Sequence, residues 1–333
     1  MYYIAIDSGT TNSRIRLVDE ENNRILDVIK KSVGVKNSAI DGNTMALESK
    51  LAEGLQEIIR RNQCEIHHIR YIIASGMITS NLGLCEVPHV EGPSRISDFA
   101  KAATVKTMQS FLNIPCIFVP GMKNQIEPVN QEHYKHIHQY DVMRGEEVET
   151  FGLLRLLNLK GNGFMILPGS HTKCVAVENG EISSVLSTLS GEILQAISQN
   201  TILTSSLNCG LITSIAKKPL IAGYKASVKF GLSRSLYHIR LLHLFDEMNE
   251  NERANYFVGA VLASDINAMM EMYKLNGIDW IVIGGENKLR KAFCEIFSYL
   301  NFTNIIETTD EQAEQSTVIG SRVIGDMVEL NVG

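Results

Sequence analysis

Apolar and polar positions over the first 31 residues alternate with the period of strands. Residues 2–7 and 13–19 are apolar-rich runs separated by Ser8-Gly9-Thr10-Thr11-Asn12, and Glu20-Glu21-Asn22-Asn23 leads into Ile25-Leu26-Asp27-Val28-Ile29. The pattern predicts a three-stranded antiparallel meander. Over 43–62 the spacing turns helical, with apolar positions at Met45, Leu47, Leu51, Leu55, Ile58 and Ile59. A buried strand (Ile69 to Ala74), a glycine-marked loop, a helix near 96–112 and a strand (Ile114 to Val119) are expected next. The stretch 120–142 is polar and irregular and is expected to connect two halves.

The second half repeats the plan. Phe164-Met165-Ile166-Leu167, the turn Pro168-Gly169-Ser170-His171-Thr172, the run Lys173 to Val177, a short turn at Glu178-Asn179-Gly180-Glu181 and the run Ile182 to Leu186 read as strand, hydroxyl-rich turn, strand, turn, strand. Gly9 and Gly169 take matching places when the halves are overlaid. Ile69–Met77, a strand running into Ala-Ser-Gly, is echoed by Trp280–Glu286, a strand running into Gly-Gly-Glu. The shared order predicts two related α/β domains, 1–142 and 143–333.

Length and composition narrow the class. The 333 residues suit about two domains. With 44% hydrophobic and 20% charged residues and only 7 prolines, the chain is neither disordered nor collagen-like. Thirty-one basic against 37 acidic residues give a net charge of −6, so no global positive field is available to hold a nucleic-acid backbone. The sequence opens directly on a strand, with no basic leader and no apolar run long enough for a signal peptide or membrane span. Cys64, Cys85, Cys116, Cys174, Cys209 and Cys294 are far apart and form no C-x-x-C pair, the usage of buried thiols in a reducing compartment. A soluble cytoplasmic protein, with no nucleic-acid or membrane partner, is expected.

The turns carry the candidate chemistry. In Ile6-Asp7-Ser8-Gly9-Thr10-Thr11-Asn12 a tight turn aims backbone N–H groups one way, glycine admits an anion closely, and the hydroxyls add donors. Asp7 at a strand end suits magnesium. A plain hairpin would look the same. The second turn, Pro168-Gly169-Ser170-His171-Thr172-Lys173, shifts the balance, because two hydroxyl-rich turns at matching places in a duplicated fold are expected to converge on one cleft if the halves pack face to face. Ile281-Val282-Ile283-Gly284-Gly285 ends a buried strand on small residues that let a flat ring lie against the backbone. Asp141-Val142-Met143-Arg144-Gly145-Glu146-Glu147 opens a helix whose dipole favours acidic residues; an acidic residue there also suits a general base, and Arg144 a substrate carboxylate. His133, His136 and His138 match no ordinary zinc spacing and are read as solvated.

Four segments resemble the 2-dehydro-3-deoxygalactonokinase family (2-keto-3-deoxygalactonate kinases), within the actin, Hsp70 and sugar-kinase superfold. They are Ala5 to Arg14, Ser75 to Gly83, Val142 to Glu147 and Leu167 to Lys173, with Ser190-Gly191-Glu192 and Gly284-Gly285 in the expected order. The resemblance implies an α/β fold of two duplicated ribonuclease-H-like domains with an interdomain nucleotide cleft. It implies transfer of the ATP γ-phosphoryl group to the terminal hydroxyl of 2-dehydro-3-deoxy-D-galactonate, giving the 6-phosphate, in galactonate catabolism.

On that resemblance Asp7 organises Mg2+. Gly9, Thr10 and Thr11 with Gly169, Ser170, His171, Thr172 and Lys173 embrace the phosphates of ATP, and Gly284 and Gly285 lie against adenosine. Glu146 is the first choice for the base, then Glu147, then Asp141. Arg144, Ser80 and Asn81 are the candidate sugar-acid contacts, and a homo-oligomer is left open. The sequence departs from the family pattern at Ser8 and Cys174, where Trp is frequent, and at Val148-Glu149, where Thr-Gln is more usual. These departures bear on the sugar pocket. A phosphohydrolase of the exopolyphosphatase kind and a nucleotide-gated actin-like switch remain the competing readings.

Overall fold

The structure, a computed structural model, describes residues 1–125, 132–207, 212–275, 277–285 and 287–330. Cys209 and Glu286 lie outside the described residues. The chain divides into two compact units: Met1–Lys160 with Glu178–Val185 and Glu311–Gly333, and Gly161–Val177 with Leu186–Asp310.

In the first unit the predicted meander forms as β1 (Tyr2–Ser8), β2 (Ser13–Asp19) and β3 (Ile25–Lys31), followed by β4 (Ile69–Gly76). A two-residue β5 (Val90–Glu91) precedes β6 (Thr104–Thr107), β7 (Pro115–Phe118), β8 (Met122–Lys123) and β9 (Val142–Met143). The main sheet runs β3-β2-β1-β4-β7-β6, and β5-β8-β9 form a small second sheet. β1 is antiparallel to β2 and parallel to β4, so the carboxyl ends of β1 and β4 lie side by side, Asp7 opposite Ser75 and Ser8 opposite Gly76.

Alternation sends successive β1 side chains to opposite faces. Ile4 and Ile6 pack with Ile15, Leu17 and the helix Met45–Arg61 through Leu47, Leu51, Leu55 and Ile58. Tyr3 and Arg16 serve the other face, Tyr3 donating to the Val318 carbonyl at 3.2 Å and Arg16 pairing with Glu314 at 2.5 Å.

Two expectations need correction here. The helix near 96–112 is only Ile96–Ala102; Thr104-Val105-Lys106-Thr107 becomes an edge strand antiparallel to β7. β-branched residues fit that pleated edge better than a helix. The expected boundary at 142 also moves, because residues 143–160 fall in the first unit. The reason is a close helix pair. The helix Glu146–Leu156 lies so near the helix Asp310–Gly325 that a Cβ at Gly152 would sit 1.8 Å from the Ser316 carbonyl oxygen, and one at Gly320 1.8 Å from that of Val148.

The second unit is built on β10 (Asn162–Leu167), β11 (Thr172–Glu178), β12 (Glu181–Thr188), β13 (Trp280–Ile283) and β14 (Ile305–Glu307), in the order β12-β11-β10-β13-β14. Residues 181–185 of β12 are counted with the first unit. β10, β13 and β14 are mutually parallel neighbours. Without its edge strand β6, the main sheet of the first unit has the same order of appearance: third, second, first, fourth, fifth. The core of the second unit gathers Phe164, Ile166, Cys174, Ala176, Ile281 and Ile283 with the long helix Glu250–Met272.

Candidate functional site

The first turn closes on itself, the Gly9 N–H donating to the Asn12 carbonyl at 2.9 Å. Ser8 and Ser13 are buried beneath it with their hydroxyls 2.8 Å apart, and Ser13 Oγ donates to the Val33 carbonyl. Thr10, Thr11 and Asn12 are exposed above. The segment after β3 props the turn from below: Lys36 N–H donates to the Thr10 carbonyl at 2.9 Å, and a Cβ at Gly34 would lie 2.4 Å from that oxygen. The exposed donors therefore stand on an immobilised backbone.

Asp7 is partly exposed at the end of β1, with Arg14 at 3.6 Å. One carboxylate loosely paired at an open strand end fits magnesium, which keeps several waters and takes one or two carboxylates beside substrate phosphates.

Two glycines bring the acidic helix to this strand end. Gly76 has φ +84° and its Cβ would lie 2.6 Å from the Ser8 carbonyl oxygen and 3.4 Å from Asp7 Oδ1. Gly145 has φ +117° and its Cβ would lie 3.2 Å from Gly76 Cα. Both positions need the left-handed freedom of glycine as well as the space. They seat the helix Glu146–Leu156 with its N-terminus toward the ends of β1 and β4, where open α/β sheets bind ligands.

The three candidate bases differ in their surroundings. Glu147 is fully buried, and both its oxygens accept from the Gly145 N–H, at 2.8 and 2.9 Å. Burial, then the neighbouring Glu146, pushes its pKa up to about 8. Glu146 is half-buried, with Oε2 accepting from Arg144 N–H at 3.1 Å. Asp141 lies before the helix, immediately ahead of β9, its Oδ1 accepting from Val142 N–H at 2.7 Å.

Arg144 is anchored on several sides. NH1 donates to the Thr79 carbonyl and Thr79 Oγ1, both at 2.6 Å, and NH2 to the Val87 carbonyl at 3.0 Å, with His89 Nε2 also at 3.0 Å. Burial and the adjacent guanidinium push the His89 pKa down to about 4, keeping the ring neutral. Thr79 donates onward to the Gly76 carbonyl at 3.0 Å. Arg144 thus ties the 79–89 loop to the glycine that faces Asp7. Ser80 is buried and donates to the Met77 carbonyl at 2.7 Å, while Asn81 is exposed on the same loop.

The second turn is arranged differently. Ser170 and His171 are exposed, with His171 Nε2 3.0 Å from Glu192 Oε1. Thr172 and Lys173 already belong to β11, are buried, and as strand neighbours point to opposite faces. Thr172 Oγ1 lies 2.7 Å from Ser190 Oγ, and Lys173 Nζ donates to Ser187 Oγ at 2.6 Å. The helix Ser190–Asn200 starts against the turn: a Cβ at Gly191 would lie 2.0 Å from the Gly169 carbonyl oxygen, and Glu192 N–H donates to the Ser170 carbonyl at 3.0 Å.

The glycine pair at the end of β13 belongs to the same assembly. Gly284 N–H donates to the Ile166 carbonyl at 2.9 Å; Gly285 has φ +69°, and its Cβ would lie 2.4 Å from the Pro168 carbonyl oxygen. Buried Arg290 braces this turn, donating from NH1 to the Gly285 carbonyl at 2.9 Å and from NH2 to Asp310 at 2.7 Å.

Sequence reading missed Thr79, His89, Arg290 and Asp265. Asp265, 4% exposed, accepts from Ser190 and Thr188, while its Oδ2 is buried with no hydrogen-bond partner. Such an oxygen costs roughly 1–3 kcal/mol. Burial pushes its pKa up to about 6. A single acid inside Val261-Leu262-Ala263-Ser264-Asp265-Ile266 is a signal the sequence did offer. As for the histidines, His136 is half-buried and His138 exposed. Among the described residues the cluster that could converge on a metal is Glu65, His67 and His68, all exposed. No helix among the described residues is long and apolar enough to cross a membrane.

Comparison with known proteins places the chain in a family. The family profile described as 2-keto-3-deoxy-galactonokinase matches residues 7–319, and the chain belongs to that family. It is 24% identical over 206 residues to the "Probable 2-dehydro-3-deoxygalactonokinase DgoK1" of Rhizobium meliloti (strain 1021), covering 62% of this chain and 59% of that protein. The match thus spans about three fifths of that relative's length. The 2-dehydro-3-deoxygalactonokinase of Escherichia coli (strain K12) is 20% identical over 274 residues, covering 81% of this chain and 80% of that one. In structure, the chain resembles a "putative 2-dehydro-3-deoxygalactonokinase protein" from Sinorhizobium meliloti with a TM-score of 0.75 at 18% identity, covering 97% of this chain and 99% of that one. The fold is that of the actin, Hsp70 and sugar-kinase superfold, with two sheet-bearing domains.

Proposed function

We propose that the chain transfers the γ-phosphoryl group of ATP to the terminal hydroxyl of 2-dehydro-3-deoxy-D-galactonate, forming the 6-phosphate. The observation that carries this reading is the stacking of Ser8, Gly76 and Gly145, which brings the acidic helix start toward Asp7. The matching strand orders further support reading the two sheets as duplicated ribonuclease-H-like domains.

In this reading Glu146 is the base. It is half-buried, and the Arg144 N–H at Oε2 helps orient it to take the proton of the attacking hydroxyl. Glu147 is a positioning residue, since both its oxygens face the Gly145 N–H. Arg144 shapes the acceptor loop and directs charge toward the carboxylate of the sugar acid, with Ser80 and Asn81 on the same loop. Gly9, Thr10 and Thr11, with Gly169, Ser170 and His171, donate to the phosphates, while Thr172 and Lys173 stiffen the second turn from behind. Gly284 and Gly285 leave a flat backbone face for adenine. Asp7 holds magnesium, which when bound neutralises phosphate charge.

Release of ADP from Mg-ATP, measured with and without 2-dehydro-3-deoxygalactonate, tests the proposal. The expected result is turnover that depends on the acid and yields a phosphorylated acid. Hydrolysis indifferent to the acid would overturn it in favour of a phosphohydrolase or a nucleotide-gated switch.

A further inference from the structure

The hydroxyls behind the second turn form a ladder. Thr172 Oγ1 is 2.7 Å from Ser190 Oγ, Ser190 Oγ is 3.4 Å from Thr188 Oγ1, and Ser190 and Thr188 both donate to Asp265. Thr172, Ser190 and Asp265 are 0%, 1% and 4% exposed. Four separate elements meet there: the start of β11, the end of β12, the start of the helix Ser190–Asn200, and the helix Glu250–Met272. Nothing in core packing calls for an acid in that place, where an apolar side chain would avoid the unpartnered Oδ2.

We propose that Asp265 is a positioning residue for nucleotide binding, orienting the phosphate-facing turn 168–172 through Ser190 and Thr172. The inference rests on the reading that this turn holds nucleotide phosphates. The carboxylate accepts from both hydroxyls and so fixes which way each proton points. Ser190 is thereby committed as a donor toward Asp265 and left as the acceptor for Thr172, whose backbone position sets the last residue of the turn. Gly191, pressed against the Gly169 carbonyl, carries the same constraint into the N–H groups of the turn.

The test is steady-state kinetics with both substrates varied, together with calorimetric binding of ADP and of adenosine. Asp265→Ala is expected to raise the ATP KM and the ADP Kd by about tenfold, the worth of one buried hydrogen-bond partner. The acceptor KM and adenosine affinity should stay within about twofold. Asp265→Asn, whose amide oxygen still accepts from both hydroxyls, should recover most of the loss. Ser190→Ala combined with Asp265→Ala should be no worse than either alone, as members of one relay are not additive. An unchanged ATP KM in a folded Asp265→Ala protein would overturn the proposal, as would a melting-temperature loss without a KM change, or an Asp265→Asn variant as impaired as the alanine. Absence of ADP binding by the unmutated protein would instead mark failure of the nucleotide reading itself.

Discussion

The two hydroxyl-rich turns follow strands at corresponding places in their sheets yet invest their polar groups in opposite ways. Between β1 and β2 the threonines stand in solvent, the backbone is propped by Gly34 and Lys36, and a carboxylate remains partly exposed at the strand end. Between β10 and β11 the exposed donors shrink to Ser170 and His171, while Thr172 and Lys173 turn inward to Ser190 and Ser187. The first turn keeps its threonines outward, whereas the second keeps fewer donors exposed and commits the rest to packing behind it. One strand plan can thus host different work, because the side chains behind each turn, rather than its hydroxyl content, decide what faces outward.

Substitutions can break or sharpen that contrast. The largest effect is expected at the first turn: Asp7→Ala should lower kcat by roughly a thousandfold, read as ADP release, since the charge stabilisation of phosphoryl transfer is lost. A decrease under tenfold would remove Asp7 from the metal site. Glu146→Gln should cost about a hundredfold in kcat with ATP affinity intact, measured by turnover and ADP calorimetry in parallel; near-normal kcat would pass the base role to Glu147 or Asp141.

At the second turn the expected signature is in binding. Gly285→Ala must place a Cβ 2.4 Å from the Pro168 carbonyl oxygen at φ +69°, and should raise the ATP KM several-fold. Gly180→Ala, at φ +83° with nothing within 4 Å, shares the backbone strain without the collision and should leave KM unchanged. Equal effects in the two would mean that the Pro168 contact does not matter.

The smallest effect is a pH dependence of stability. Glu147 is raised to about 8 in the fold from a usual 4.5, so between those values the folded chain keeps a proton that the unfolded chain has lost. This contribution to stability is present at low pH and declines as pH rises through the window. Glu147→Gln cannot titrate, and denaturant melts from pH 5 to 8 should show a flatter profile. An unchanged slope would place the ionisation elsewhere.

What the sequence disclosed follows the range of the interactions. Both meanders and their turns were legible because strand alternation and Gly/Ser/Thr punctuation are local. The helix at 146 was legible from its acidic first turn. Residues 104–107 were misread because an edge strand is defined by its partner β7, not by its own periodicity. His89 gave no signal: it matters only once Arg144, 55 residues away, folds onto it. Asp265 was legible in principle, as the one acid in the apolar run 256–266, but its partners Ser190 and Thr188 lie far back in the chain. The boundary shift has the same origin, since Gly152 and Gly320 reveal their role only when their helices meet.

If the proposed nucleotide reading holds, the contact between Gly285 and Pro168 would join the adenine-facing and phosphate-facing turns of the second unit into one gauge. The close approach is between main-chain atoms, so on that reading the span from purine to phosphate would be set by backbone rather than by side chains. On the proposed function, a change of nucleoside triphosphate would then proceed through side chains around the ring, with the spacing inherited unchanged.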